Sequence, residues 1–201
     1  MHILHAPNPV FATTTRPGFT GAVITGGTPA VRSDFAAKAA ARATCHGAVV
    51  WVARNGHPDT DPGPWYTHAV PDWFVTGSLP HGRQILTDAA ATCVHRTPGT
   101  HQLLAASGAA APLLLVIVEE AHLLLDADLA AVQAATTIAA SGPAAKVALV
   151  LTLPETIPYT PTSAIARLIG ERGGQRLHLQ QDEMTLPVLL SALAGARTEE
   201  G

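Results

Sequence analysis

The sequence predicts a three-layer α/β protein built on a mainly parallel β-sheet. Short runs of apolar and β-branched residues recur along the chain and alternate with alanine-rich segments of helical length. The clearest run, Leu113–Val118, is apolar at every position, which is typical of a strand buried on both faces of a parallel sheet. Hydrophobic residues make up 47% of the 201 residues, enough for one sizeable core. We therefore expect an irregular lead-in over residues 1–20 and a single domain over residues 21–201.

Composition limits the classes of function and the cellular compartment. The formal net charge is −3, so no global basic field recruits nucleic acid, and any contact with DNA would come from local loops. Two cysteines, Cys45 and Cys93, indicate a reducing compartment without a disulfide framework, and their spacing to nearby histidines matches no zinc signature. The sequence shows neither a signal peptide nor an uninterrupted apolar stretch of membrane-spanning length. These features predict a soluble, cytoplasmic protein with no membrane segment.

The first half of the chain begins with a βαβ pattern. A strand is expected over Gly21–Thr25, followed by a glycine-containing turn and an alanine-rich helix over Val31–Thr44. The next apolar run, Ala48–Ala53, lies at a distance that suits a parallel crossover. Residues 54–71 contain four prolines and two glycines, so we expect no regular structure there. A short strand over Trp73–Val75 completes this half.

The second half continues the alternation of helices and strands. Within the helix that should end near Ala140, apolar periodicity places Leu129, Val132, Thr136 and Ala139 toward the core. Caps and periodicity predict these elements: a helix over Arg83–Arg96, the strand Leu113–Val118, a helix from Asp126 or Asp128 to about Ala140, a strand over Val147–Thr152, a helix over Thr162–Glu171, an edge strand over Arg176–Gln180 and a last helix over Thr185–Ala196.

The turn after the first strand carries half of a phosphate-binding motif. A loop of the form G-x-x-x-x-G-K-[ST] wraps a phosphate with backbone N–H groups, while its lysine neutralises charge and its hydroxyl holds Mg²⁺. Residues 26–33 read GGTPAVRS, in which Gly26 and Ser33 match, but Val31 replaces the second glycine and Arg32 the lysine. Arg32 keeps the charge, whereas the β-branched Val31 resists positive φ. We expect weak or no nucleotide binding; an ordinary connection without a ligand is the alternative.

Two adjacent acids, Glu119 and Glu120, follow the buried strand Leu113–Val118. The carboxyl ends of parallel strands face the crevice in which α/β proteins bind ligands, so acids at this place indicate a metal and water site. The alternative is that they are solvated residues at the start of a loop. We expect the loop that begins at Gly26 and these two acids to lie side by side, on neighbouring strands, around one anion-sized hollow.

Considered together, these motifs resemble the motor domain of FtsK/HerA-type DNA translocases, a family that includes the TraB-like transfer ATPases of actinobacterial plasmids. AVITGGTPAVRSDF resembles the strand and loop of the Walker A motif, VIVEEAH resembles the Walker B strand that ends in Asp-Glu, and LVLTLPET resembles the sensor strand, of which it keeps Thr152 and Pro154. Leu153 stands where the family has its sensor glutamine. The resemblance spans about Gly21–Gln180 and implies a RecA-like P-loop NTPase architecture with a degenerate Walker A motif.

The resemblance also implies a role for each matching residue. ATP and Mg²⁺ would be the cofactors if the site functions, with Ser33 and Glu119 toward the metal. Glu120 would orient or deprotonate the attacking water, and Thr152 would sense the γ-phosphate. The residues facing the nucleotide would be Gly26, Gly27, Thr28, Arg32 and Ser33.

Three functions remain open from the sequence. The first is a scaffold or regulatory subunit of a DNA-handling or DNA-transfer assembly, with weak or no ATP hydrolysis. The second is an active, divergent, ATP-driven translocase, and the third is an unrelated α/β protein that binds a small molecule. The first two imply a homo- or hetero-oligomer with ATPase-like subunits and permit DNA contacts through loops. Trp51, Trp65 and Trp73 are assigned to core or loop packing rather than to base stacking.

Overall fold

A six-stranded, all-parallel sheet forms the middle layer of the protein. The computed structural model describes residues 19–56, 63–96, 111–155 and 160–179. The predicted lead-in over residues 1–18 and the predicted helix Thr185–Ala196 lie outside these ranges. The strands in sheet order are β3 (Trp73–Thr76), β2 (Val49–Arg54), β4 (Leu114–Glu119), β5 (Val147–Thr152), β1 (Gly21–Gly26) and β6 (Gln175–Leu179).

Helices cover both faces of the sheet, which confirms the predicted three-layer α/β class. One face packs against α1 and α2, and the other against α3 to α6. The helices are α1 (Pro29–Cys45), α2 (Trp65–His68), α3 (Leu79–His95), α4 (Ala121–Leu125), α5 (Leu129–Ser141), which continues into a 3₁₀ turn over Gly142–Ala145, and α6 (Pro161–Glu171).

The central strand β4 is buried along its whole length, as its apolar sequence predicted. Successive side chains alternate between the two cores, so Leu115 and Ile117 lie on the α1 side while Val116 and Val118 lie on the other side. A strand that fills two cores at once needs an apolar residue at every position. The run from Leu113 to Val118 meets this requirement.

Three helices begin earlier than predicted, because proline is tolerated in a first helical turn. Helix α1 begins at Pro29 rather than Val31, and Thr28 caps it by accepting a hydrogen bond from the Val31 N–H. Helix α3 begins at Leu79 rather than Arg83, with Pro80 in its first turn, and α6 begins at Pro161. For α1 the difference matters, because those two extra residues belong to the turn that resembles a phosphate loop.

Two predictions about local structure were wrong. The proline-rich segment 54–71 contains a short helix, α2, whose Trp65 is fully buried against the sheet. In α5, Val132 and Ala139 pack in the core as predicted, but Leu129 and Thr136 face solvent, and the remaining core contacts include Ala131, Ala135 and Ile138. Small alanine side chains let α5 approach the sheet and α3 closely. Because alanines lie on all sides of α5, the sequence does not show clearly which face is buried.

None of the helices in the described ranges combines the length and the hydrophobicity that a bilayer span requires.

Helix α5 offers a direct check on which of its faces is buried. Ile138 is 1% exposed, whereas Leu129 on the same helix is 73% exposed. We expect Ile138→Ala to lower the free energy of unfolding by about 2 to 5 kcal/mol, because it opens a cavity in the core. Leu129→Ala should change it by no more than about 0.5 kcal/mol. Urea denaturation of both variants measures the difference, and equal losses would contradict the assigned face.

Candidate functional site

The turn after β1 and the two acids at the end of β4 lie at the same edge of the sheet, where β1, β4 and β5 all end. The expectation that they sit on neighbouring strands was wrong, since β5 lies between β1 and β4. Strand order depends on long-range pairing, and β5 comes from much later in the chain. Arg32 nevertheless spans the gap, because its guanidinium reaches the carboxylate of Glu120 at 2.6 Å. The turn and the second acid are therefore in direct contact.

The turn itself is too short to wrap a phosphate. Only Gly27 and Thr28 separate β1 from α1, so the positions that would form a phosphate loop are already helical. Pro29 has no N–H group, the Val31 N–H donates to Thr28 Oγ1 at 3.3 Å, and the Arg32 N–H donates to the Thr28 carbonyl at 3.0 Å. These three positions in the first turn of α1 thus offer no free donor to an anion.

The guanidinium of Arg32 fills the space between the turn and the acid. Its Nη1 donates to the carbonyl oxygens of Gly26 at 3.0 Å and Gly27 at 2.6 Å, and its Nε and Nη2 donate to Glu120 Oε1 at 3.0 and 2.6 Å. Arg32 is only 3% exposed. A phosphate loop directs N–H groups at an anion, whereas here carbonyl oxygens face a cation. The polarity of the turn is therefore the reverse of a phosphate site.

Glu120 occupies a strained backbone conformation beside this ion pair. Its φ of 45° and ψ of 50° lie in the left-handed region, which costs a residue with a Cβ roughly 1 to 2 kcal/mol. The Glu120 N–H donates to Thr152 Oγ1 at 2.9 Å, and its carboxylate accepts from Arg32. The two predicted catalytic residues, Glu120 and Thr152, are therefore brought together. The hydroxyl of Thr152 accepts a bond from the backbone of Glu120.

Glu119 forms a separate buried ion pair on the other side of the acid strand. Its Oε2 accepts from Arg54 Nε at 3.0 Å, and its Oε1 accepts from Trp65 Nε1 at 3.0 Å. Burial raises the pKa of Glu119, while Ser33, Arg54 and Trp65 partly offset that rise. Ser33 Oγ is buried close to this carboxyl and lowers its pKa, yet it makes no hydrogen bond of regular geometry within the described residues.

Three residues of this site were missed in the sequence. Arg54 and Asn55 follow β2, the strand paired with β4, and Arg54 lies opposite Glu119 in the register. The Asn55 side chain donates to the Glu119 carbonyl at 2.8 Å. Trp65 was correctly assigned to packing, but its indole N–H also holds Glu119. An arginine at the end of an apolar strand was the available signal, and it becomes informative only once β2 is known to pair with β4.

The predicted nucleotide and metal ligands do not fit Mg²⁺ and ATP in this conformation. Gly26 and Gly27 present carbonyl oxygens to the Arg32 guanidinium, and Thr28 is the N-cap of α1. Both carboxylate oxygens of Glu119 are bound by protein donors. Within the described ranges, no group of three or more His, Cys, Asp or Glu residues is arranged to hold a metal ion. The arrangement joins three strands and leaves no cradle for phosphate.

Comparison with known proteins places the fold among ATPases. No protein-family model matches the sequence, and no curated protein is similar to it. The cytoplasmic domain of the type VII secretion ATPase EccC from Thermomonospora curvata superposes with a TM-score of 0.58 at 17% identity, over 87% of this chain and 21% of that one. A protein described as an ATPase gives a TM-score of 0.56 at 16% identity, over 82% of this chain and 67% of that one.

A second EccC structure shows the same likeness. It contains ATPases 2 and 3 of the T. curvata protein in complex with a signal sequence peptide, and it gives a TM-score of 0.56 at 16% identity, over 80% of this chain and 31% of that one. The chain thus spans about one fifth to one third of the EccC chains it matches. At these identities the likeness shows the fold alone. The predicted three-layer α/β architecture is confirmed, and it is similar to the fold of these ATPases.

The ion pair between Arg32 and Glu120 should be important for stability. Replacing Arg32 with methionine leaves a carboxylate that is mostly buried without its partner, and two carbonyl groups without a donor. We expect Arg32→Met to lower the free energy of unfolding by about 3 to 5 kcal/mol, as measured by denaturant titration. The matched control is Arg167→Met, because Arg167 pairs with Glu171 at 3.5 Å while both side chains are more than half exposed. That change should cost no more than about 0.5 kcal/mol, and similar losses would contradict the assigned role.

The raised pKa of Glu119 should produce a defined pH dependence. A pKa above the usual 4.5 means that the folded state binds this proton more tightly than the unfolded state. The contribution of Glu119 to stability is therefore greatest at low pH, and it falls as the pH rises through 4.5 to the higher folded value. We expect the free energy of unfolding of the wild type, relative to Glu119→Gln, to decrease across this window. A relative increase would show that Arg54 outweighs burial.

Proposed function

We propose that this protein is an ATPase-fold subunit that does not hydrolyse ATP and serves as a scaffold or regulatory component of a DNA-handling or transfer assembly. The observation that carries the proposal is the position of Arg32. Its guanidinium binds two turn carbonyls and the carboxylate of Glu120, where a nucleotide phosphate and its catalytic acid would otherwise meet. An acid that already neutralises a buried arginine is not available to activate water.

The free-energy cost of opening the site for a nucleotide supports the absence of ATP hydrolysis. To draw Arg32 to a phosphate, the chain would have to separate its guanidinium from Glu120 and leave that mostly buried carboxylate without its partner. It would also have to unwind the first turn of α1 to free the N–H groups that Thr28 holds. Both costs would be subtracted from the binding energy of the nucleotide. Weak or absent binding follows.

An active translocase remains the alternative, because the chain has acids at both positions of the Walker B pair, Glu119 and Glu120. The structure gives each acid another role, since Glu120 pairs with Arg32 and Glu119 pairs with Arg54. Removal of either acid would leave a buried arginine without its carboxylate partner. Both acids are therefore needed even where no ATP is hydrolysed, so their presence no longer favours a motor.

The structural neighbours suggest the kind of assembly. One of the similar EccC structures contains ATPases 2 and 3 of that protein, and this chain covers 31% of it. A unit with a closed site can occupy one position beside active, ATPase-like subunits and hold them in register in the cytoplasm. The net charge of −3 provides no broad attraction for DNA, so a role through protein contacts is the simpler form of the proposal.

Isothermal titration with ATP and Mg²⁺ tests the proposal. We expect no binding by the wild type at millimolar nucleotide. The double substitution Val31→Gly and Arg32→Lys restores the residues of the motif G-x-x-x-x-G-K-S from Gly26 to Ser33 and serves as the comparison variant, and ATP binding by this variant alone would assign the loss of binding to Val31 and Arg32. Micromolar binding by the wild type, with turnover lost in Glu120→Gln, would overturn the proposal in favour of a motor.

A further inference from the structure

A groove lies beside the last strand of the sheet, on the face that carries α6. Its volume is about 330 Å³, at the lower end of the range of cavities that bind small organic molecules. The floor is apolar and comes from Val23 of β1, Leu153 after β5 and Ala166 of α6. The rim carries a few polar side chains, several of them from β6. An apolar floor with a small number of polar groups is typical of small-molecule sites.

The groove exists because α6 covers only part of this face. Ile165 and Ile169 of α6 are buried over the sheet, whereas β6 is the last strand in the sheet order. On the opposite face, Leu179 of β6 is 4% exposed and belongs to the core beneath α1. On the groove face, Arg176 and His178 are exposed. The edge strand is therefore packed on one face and accessible on the other.

The guanidinium of Arg176 is held at the groove without a partner for its charge. Among the residues that the structure describes, it makes no hydrogen bond and no ion pair. A Cβ atom at Gly170 would lie 3.3 Å from Arg176 Nε, so the guanidinium lies against α6 at a position where the helix has no side chain. Its N–H groups are available to a carboxylate, which a guanidinium binds through two parallel hydrogen bonds.

Polar groups of both charge types lie farther along the groove. In the register of β1 and β6, Thr25 and His178 form the pair two positions beyond Val23 and Arg176, about 7 Å along the strands. Thr25 Oγ1 lies 3.3 Å from His178 Nδ1, and His178 Nε2 lies 3.9 Å from the carboxylate of Glu155. The carboxylate of Glu155 repels a second negative charge on a ligand. The groove therefore favours a ligand with a single anionic group.

We propose that the groove binds a small molecule with one carboxylate and an apolar body, such as a short-chain acid that carries an aromatic ring. Arg176 binds the carboxylate, and Val23, Leu153 and Ala166 contact the apolar body. Glu155 disfavours ligands with two negative charges, such as phosphate esters. The site shares no residue with the ion pairs at the carboxyl edge of the sheet, so it goes beyond the proposed function and does not depend on it.

An NMR titration of the ¹⁵N-labelled full chain with hydrocinnamate, the anion of phenylpropionic acid, tests the proposal. We expect a dissociation constant on the order of 1 mM or tighter, which is reasonable for a ligand of this size. The amide signals of Val23, Thr25, Ala166 and Leu177 should shift, whereas those of β3, at the opposite edge of the sheet, should not. Absence of shifts in the groove at ligand concentrations on the order of 10 mM would overturn the proposal.

A matched pair of arginine substitutions tests the role of Arg176. Arg176→Met removes the charge, keeps an apolar stem and should weaken hydrocinnamate binding at least about tenfold. The control is Arg172→Met, because Arg172 is an exposed arginine at the end of α6 that does not line the groove. That variant should bind hydrocinnamate within about twofold of the wild type. Equal losses in the two variants would show a general attraction to positive charge and would overturn the proposal.

Neutral and doubly charged analogues test the chemical class of the ligand. Hydrocinnamyl alcohol, which lacks the carboxylate, should bind the wild type at least about tenfold more weakly than the acid. Phenethylphosphonate, which carries close to two negative charges at about pH 8, should bind at least about threefold more weakly, and Glu155→Gln should remove that difference. Tighter binding of either analogue than of hydrocinnamate by the wild type would overturn the assignment to a single carboxylate.

A peptide distinguishes a small acid from the C-terminus of a protein partner. An acetylated tetrapeptide that ends in phenylalanine presents the same carboxylate and ring at the end of a polypeptide. It should bind no more tightly than hydrocinnamate, because the groove has room for a small molecule. Binding at least about tenfold tighter than that of hydrocinnamate would assign the groove to a polypeptide C-terminus and overturn the proposal.

Discussion

The contact on which the carboxyl edge of the sheet depends is the one between Arg32 and Glu120. A guanidinium offers five donors in a rigid plane, and here it binds two turn carbonyls and one carboxylate at once. This contact joins α1 to the end of β4 across β5, which separates β1 from β4. A lysine could not make the same set of bonds, because its single ammonium lacks the planar fork. The arginine that replaces the lysine of the phosphate motif is therefore also the residue that joins the turn to Glu120.

The two acids show how the same residue type at adjacent positions acquires different surroundings. Because successive side chains of a strand point to opposite faces, Glu119 turns toward Arg54 and Trp65 while Glu120, in its left-handed conformation, turns toward Arg32. Each carboxylate is compensated within the protein, so neither leaves an unpaired buried charge. Two acids that resemble a catalytic pair in the sequence thus each form an ion pair with an arginine in the folded chain.

Much of the fold could be predicted from the sequence, because the apolar runs indicate the strands and the alanine-rich segments between them indicate the helices. The strand Leu113–Val118 was visible in this way, and comparison with the phosphate-binding motif singled out Arg32 as a departure from it. The partners of Glu119 were not, since Arg54 and Trp65 meet it only through the strand order and through a short helix inside a proline-rich segment. The contact between Arg32 and Glu120, 88 positions apart, likewise depends on tertiary structure that no local pattern encodes.

The position of β1 between β5 and β6 also sets the order in which the domain can assemble. β1 is the first of the six strands to be synthesised, yet its partner Leu149 lies 128 positions after Gly21 (149 − 21). Strands β2, β3 and β4 can pair with one another while the ribosome is still extending the chain, whereas β1 must wait for β5 to emerge. Because closing so long a loop is slow, β1 is among the last strands to enter the sheet although it is synthesised first. Until then its apolar residues are exposed and can aggregate with those of other chains.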